Sequence, residues 1–169
     1  MPSRSPIHSL ALFTAATALL TGAALAEDKI PAGNIKAAYT RSQALPIADK
    51  PGHVLLATES KGKNTSTGGQ EILNGWDVTI AAFADMEQGN GPYQGYVTFS
   101  KDDKTAVVKL DGKVTTVMTG GQPATTIAGN FVDISGPYVG KAGTFRTTMT
   151  SENTFVADWR ETGPVAATQ

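Results

Sequence analysis

The sequence predicts an all-β protein: an eight-stranded antiparallel up-and-down β-barrel after a cleaved signal peptide. Three observations point there. Beyond residue 26 the chain carries 19 Thr and 11 Val against only 5 Leu, and β-branched residues favour pleated strand over helix. No stretch between about Pro51 and Thr162 sustains an i, i+3, i+4, i+7 apolar face, whereas short β-rich runs recur there between Gly, Asn, Asp and Pro. With no helix to cover a sheet, eight strands in a meander hide their edges by closing on themselves. A two-sheet sandwich is the alternative.

In chain order, the first element is a targeting signal. Arg4 and His8 stand in a short polar region, an apolar run follows from Leu10 to Leu20, and Ala24-Leu25-Ala26 has the small-residue pattern of a cleavage site. This is the order of a secretory signal peptide at 1–26, and the apolar run is short for a bilayer span. Cleavage there leaves 143 residues, one His (His53) and no integral membrane segment. The expected location is periplasmic or secreted. Residues 27–50, with Pro31, Gly33 and Pro46 and few large apolar side chains, read as an extended leader, with a short helix near Ile35 to Tyr39 as an option. Residues 163–169 read as a flexible tail.

The β-barrel domain is expected at 51–162. Its eight strands are read at Val54–Glu59, Gly75–Ala84, Gly95–Ser100, Thr105–Leu110, Lys113–Thr119, Ala124–Ile134, Gly143–Thr150 and Thr154–Trp159. Lys101-Asp102-Asp103-Lys104, Asp111-Gly112 and Ser151-Glu152-Asn153 read as tight connections, Asp111-Gly112 being the strongest hairpin signal. Lys61 to Gly69 reads as a long solvated loop or a lid at one barrel end. An internal repeat accompanies this pattern: Asn90-Gly91-Pro92-Tyr93-Gln94-Gly95 is echoed 45 residues on by Ser135-Gly136-Pro137-Tyr138-Val139-Gly140. Both copies read as sharp corners, with Tyr93 and Tyr138 either packing across them or meeting a ligand at a barrel mouth.

The stretch Val132-Asp133-Ile134-Ser135-Gly136-Pro137-Tyr138-Val139-Gly140-Lys141-Ala142-Gly143-Thr144-Phe145 resembles a segment of the allene oxide cyclase-like and dirigent-like barrels. The run Thr154 to Glu161 is similar to the closing strand of small exported bacterial proteins of that type. The resemblance covers about Gly75 to Glu161. It implies a calycin-like eight-stranded barrel with a central cavity, in a superfamily whose plant members shape a hydrophobic cavity around a cyclisation or a radical coupling. No catalytic position is carried over, because fold likeness does not transfer activity.

Composition narrows the chemistry. Fourteen Lys+Arg against 15 Asp+Glu and a pI near 6.1 argue against nucleic acid as partner. The absence of Cys removes disulfides, thiolate metal sites and cysteine nucleophiles. One mature His without Cys argues against a zinc site. Asp85-Met86-Glu87-Gln88-Gly89-Asn90-Gly91 lacks the order of a calcium loop and reads as an acidic turn. Neither a phosphate-binding loop nor a Gly-x-Ser-x-Gly elbow occurs. No metal and no cofactor is therefore expected.

The candidate ligand-binding residues are Asp77, Arg146, Asp158, Tyr93 and Tyr138. Trp76-Asp77 and Asp158-Trp159 each set an acid beside an indole, and strand alternation sends the two to opposite faces. Either the tryptophans fill the barrel and the acids meet water, or Asp77, Arg146 and Asp158 share a polar lumen. Three functions follow. The first is an exported barrel binding a small apolar or amphipathic molecule. The second is an isomerase or cyclase working in the cavity without metal or nucleotide, and the third a structural or interaction protein whose barrel is filled. The sequence leaves a homo-oligomer open.

Overall fold

The computed structural model describes residues 30–68 and 71–164. They form eight antiparallel strands: β1 (Ala32–Pro46), β2 (His53–Ser66), β3 (Asp77–Glu87), β4 (Gly91–Lys101), β5 (Lys104–Thr119), β6 (Gln122–Ser135), β7 (Lys141–Met149) and β8 (Thr154–Pro164). Each strand pairs with the next, and β1 closes the barrel against β8 over Ala32–Ala38. The sandwich alternative is excluded. The signal peptide expected at 1–26 lies outside the described residues, and of the tail expected at 163–169, Gly163 and Pro164 belong to β8 while the remainder lies outside the described residues. No helix among the described residues is long and apolar enough to cross a membrane.

Eight strands form, but not the eight read from the sequence. The stretch read as a leader is β1, paired on both sides, and the short helix considered near Ile35 to Tyr39 is strand. Its inward positions are Ile35, Ala37 and Tyr39, and one aromatic and one branched residue among small ones give little amphipathic contrast. In the other direction, the two strands read at Thr105–Leu110 and Lys113–Thr119 are one, β5. Gly112 is no turn residue. It pairs with Tyr93 on one side and Gly129 on the other, where an added Cβ would lie 2.5 Å from the Ala128 carbonyl oxygen. The actual β5–β6 turn is Gly120-Gly121, both at positive φ, 59° and 80°, which glycine adopts without steric cost.

Strand alternation sorts side chains into lumen and outer face. Val78, Ile80, Ala82 and Ala84 of β3 point in, while Phe83 points out and is 54% exposed. The lumen holds one apolar cluster that includes Val97, Phe99, Val108, Leu110, Phe131 and Phe145. Burying such a side chain stabilises the fold by about 1.5–3 kcal/mol.

The two ends differ. At one, the β2–β3 connection folds over the barrel as a cap. Ser66 Oγ donates to the Ile72 carbonyl and Asn64 Nδ2 to the Leu73 carbonyl, while Trp159 Nε1 donates to Asn64 Oδ1. Leu73, at φ 54°, is buried beneath the cap. Of the segment read as a loop from Lys61, the part up to Ser66 is β2 and only the remainder leads into this cap. The other end, where β1–β2, β3–β4, β5–β6 and β7–β8 connect, is open.

Candidate functional site

Between the cap and the middle of the barrel the lumen is nearly filled. The free space there is about 60 Å³, room for a few water molecules. Its wall is apolar and aromatic, with Phe131 and Trp159 edge to face at a centroid distance of 6.3 Å. Three charged groups sit at its capped end. Asp133 and Glu161 are buried, at 6% and 9% exposure, and Lys141 Nζ lies 3.2 Å from both Glu161 carboxylate oxygens and 5.6 Å from the Tyr138 ring centre. Burial pushes the Asp133 carboxyl up to about 6; nearby Glu161 adds to the rise and Lys141 opposes it. A carboxylate removed from water favours its neutral form.

Toward the open end the lumen widens into a mouth of about 290 Å³, lined by residues that include Leu56, Met86, Val114, Thr116, Ile127 and Met149. Its described lining contains no charged side chain. The polar groups there are hydroxyls. Thr116 Oγ1 donates to the Gly89 carbonyl at 2.8 Å and contacts Thr125 Oγ1 at 3.0 Å, so it is already engaged. Tyr39, Thr58, Tyr93 and Ile127 line both the mouth and the filled part, marking the constriction between them. Tyr39 packs tilted on Phe155 at 5.2 Å and Tyr93 on Phe145 at 6.2 Å, contacts that hold both rings.

Outside the lumen, the open end carries a charged clamp. His53 Nδ1 meets Asp49 Oδ1 at 2.5 Å and Nε2 meets Asp85 Oδ1 at 2.6 Å. Hydrogen bonds to Asp49 and then Asp85 raise the imidazole pKa, and the bond to His53 lowers that of Asp49. Lys50 Nζ pairs with Glu87 Oε1 at 2.5 Å. Lys50–Glu87 ties the β1–β2 loop to β3, His53 at the start of β2 bridges Asp49 of that loop and Asp85 of β3, and the carboxylates of the acidic turn are occupied by these cations.

The sequence candidates divide. Asp77, Arg146 and Asp158 lie on the outer face and are exposed, which overturns the polar-lumen alternative. Trp159 takes the inward parity, leaving Asp158 beside it facing water. Asp77 bonds Lys63 at 2.7 Å on the surface. Arg146 and Asp158 stand opposite one another in the β7–β8 ladder, both on the exposed face. Tyr93 and Tyr138 do line the cavity, but from opposite ends. The repeat that contains them is not a repeated corner: Gly91–Gly95 belongs to β4, whereas Gly136–Gly140 forms the β6–β7 connection with both glycines at positive φ.

Sequence reasoning missed Tyr39, Asp133, Lys141 and Glu161. A signal was present for two of them: Phe131-x-Asp133 and Trp159-x-Glu161 place each acid on the same face as an aromatic two residues before it. Against family models, curated proteins and solved structures, the chain matches none.

Proposed function

We propose that this protein binds a small apolar or amphipathic molecule, taken into the barrel through its open end. The observation that carries this reading is the asymmetry of the lumen. One half is packed and capped, while the other opens as an uncharged, largely apolar space of about 290 Å³. An eight-stranded barrel is of a size to hold one small ligand, and binding sites of this class are concave, mostly apolar and carry a few placed polar groups. The likeness to allene oxide cyclase-like and dirigent-like barrels is in keeping with such a cavity, and the N-terminal sequence with export. A homo-oligomer is compatible with the exposed Phe83 and Tyr96 on the outer face.

The test is uptake of the neutral dye N-phenylnaphthylamine. Saturable binding with enhanced fluorescence is expected, abolished by Val114→Trp, which fills the mouth from a wall position. Binding unaffected by Val114→Trp places the dye elsewhere and removes the reading. A second reading, acid–base isomerisation, is favoured by the raised pKa of Asp133. It requires a substrate to reach the filled half, so Asp133→Asn would abolish turnover while leaving dye uptake in the mouth intact.

A further inference from the structure

We propose that Tyr39 and Tyr93 together form the polar recognition point of the mouth, and that its ligand is an apolar molecule carrying a neutral carbonyl oxygen, such as a ketone, aldehyde or ester. This rests on the binding reading above and specifies its ligand.

Both tyrosines stand at the constriction, lining the mouth and the filled half alike. Tyr39 comes from β1 and Tyr93 from β4, on different sectors of the wall. The Tyr39 hydroxyl has one side-chain partner among the described residues, the Met149 sulfur at 3.9 Å. A thioether is a weak acceptor. The Tyr93 hydroxyl makes no hydrogen bond among the described residues, and the residue is half-buried against the core. A ligand that displaces water from such a hydroxyl keeps its hydrogen bond only by offering an acceptor in the water's place. Two such donors facing one space form a built demand for an acceptor.

Charge decides which acceptor. Burial raises the pKa of both phenols, and each is close enough to the other that the Tyr39 charge would further raise that of Tyr93. Both therefore remain protonated donors across the physiological range. No Lys, Arg or His lines the mouth among the described residues, so a carboxylate would enter without a counter-charge and lose its hydration. A neutral carbonyl makes the same hydrogen bonds without that cost. The apolar wall takes the remainder of the molecule.

The experiment compares two dyes on the full barrel. Prodan, a naphthalene ketone, shifts its emission to the red when its carbonyl accepts a hydrogen bond; N-phenylnaphthylamine has no carbonyl. Wild-type protein is expected to bind both, with Prodan emitting as a hydrogen-bonded ketone. Tyr39→Phe and Tyr93→Phe each keep the ring, and each is expected to weaken Prodan roughly three- to tenfold, the worth of one neutral hydrogen bond. Its emission should move to the blue, with N-phenylnaphthylamine affinity unchanged. Methyl octanoate should displace Prodan at lower concentration than octanoate.

Prodan binding that is indifferent to both substitutions overturns the inference while leaving the mouth as a binding site. Loss of both dyes in both variants also overturns it, since the rings rather than the hydroxyls would then matter. Stronger displacement by octanoate overturns the choice of a neutral oxygen. Failure of wild-type protein to bind either dye removes the binding reading itself.

Discussion

The indole N–H of Trp159 donates to Asn64 Oδ1 across 2.7 Å, joining residues 95 apart in the chain. Asn64 is fully buried and passes its own amide hydrogen to the Leu73 carbonyl at 2.9 Å. One side chain thus ties β8 to β2 and both to the cap. Asn64→Ala strands a buried donor and a buried acceptor, and is expected to destabilise the fold by roughly 2–4 kcal/mol. The urea midpoint measures the loss, and amide exchange over residues 71–76 should rise with it. A change below about 0.5 kcal/mol, the level of an ordinary surface substitution, would mean that the cap is held by its apolar contacts alone.

Two glycines carry different burdens, and their substitutions should separate. At Gly129 an added Cβ would lie 2.1 Å from the Asp111 carbonyl oxygen, so β5 and β6 would have to part. Gly129→Ala is expected to cost roughly 1–3 kcal/mol by overpacking. At Gly120 nothing lies within 4 Å, but φ is 59°. Gly120→Ala should cost about 1–2 kcal/mol from backbone strain, and Gly120→Asn distinctly less, because Asn tolerates the left-handed region. No conservative side chain should relieve Gly129 in that way, and equilibrium unfolding of the three variants decides it.

Arg146→Ala tests the parity of the barrel. Arg146 stands on the outer face opposite Asp158. Its removal is expected to change stability by less than about 0.5 kcal/mol and to leave N-phenylnaphthylamine uptake as in wild type. A specific loss of uptake would require the side chain to reach the lumen, contrary to its position in β7.

That parity marks where the sequence stopped being informative. The all-β class and its closure into a barrel were legible from β-branched composition, which reports on local backbone preference, whereas the count of eight agreed only because β1 was missed and β5 was read as two. Which face of each strand is inward was not legible, because Trp76-Asp77 and Asp158-Trp159 obey alternation equally in either sense. The structure resolves this through Trp159, whose bond to Asn64 fixes it inside. β1 escaped because tertiary pairing on two sides, rather than its own residues, makes it a strand. Asp111-Gly112 misled because glycine serves two needs: positive φ in a turn, and close approach between neighbouring strands. Tyr39 was hidden with β1. Tyr93 was visible through its repeat, although the repeat turned out to place two unlike structures at opposite ends.

Stability should fall with rising pH because of His53. Its pKa lies above 6.5 in the folded protein owing to Asp49 and Asp85, so the clamp is fully present below 6.5 and fades as pH rises through the folded value. Asp49, whose pKa is lowered by the same contact, adds a loss at the acidic side as pH falls through its own folded value. The imidazole proton resonances should titrate above 6.5. His53→Gln should remove the alkaline decline in the urea midpoint, and persistence of that decline would assign it to another group.

Asp133 should produce a separate decline at lower pH. Its carboxyl titrates at about 6 against an ordinary 3.8, first through burial and then through Glu161. The folded protein therefore holds this proton more tightly than the unfolded chain. Its contribution is full below 3.8 and is lost as pH rises through about 6, the reverse of a salt-bridged carboxylate. Asp133→Asn should flatten stability between those values and raise it at pH 8 by roughly 1–3 kcal/mol. The window lies below that of His53, so the two substitutions should act on different parts of the same profile. Carbon-detected titration of the Asp133 carboxyl provides the direct measurement: a midpoint near 4 would mean that the Lys141–Glu161 pair, rather than burial, governs this end of the barrel.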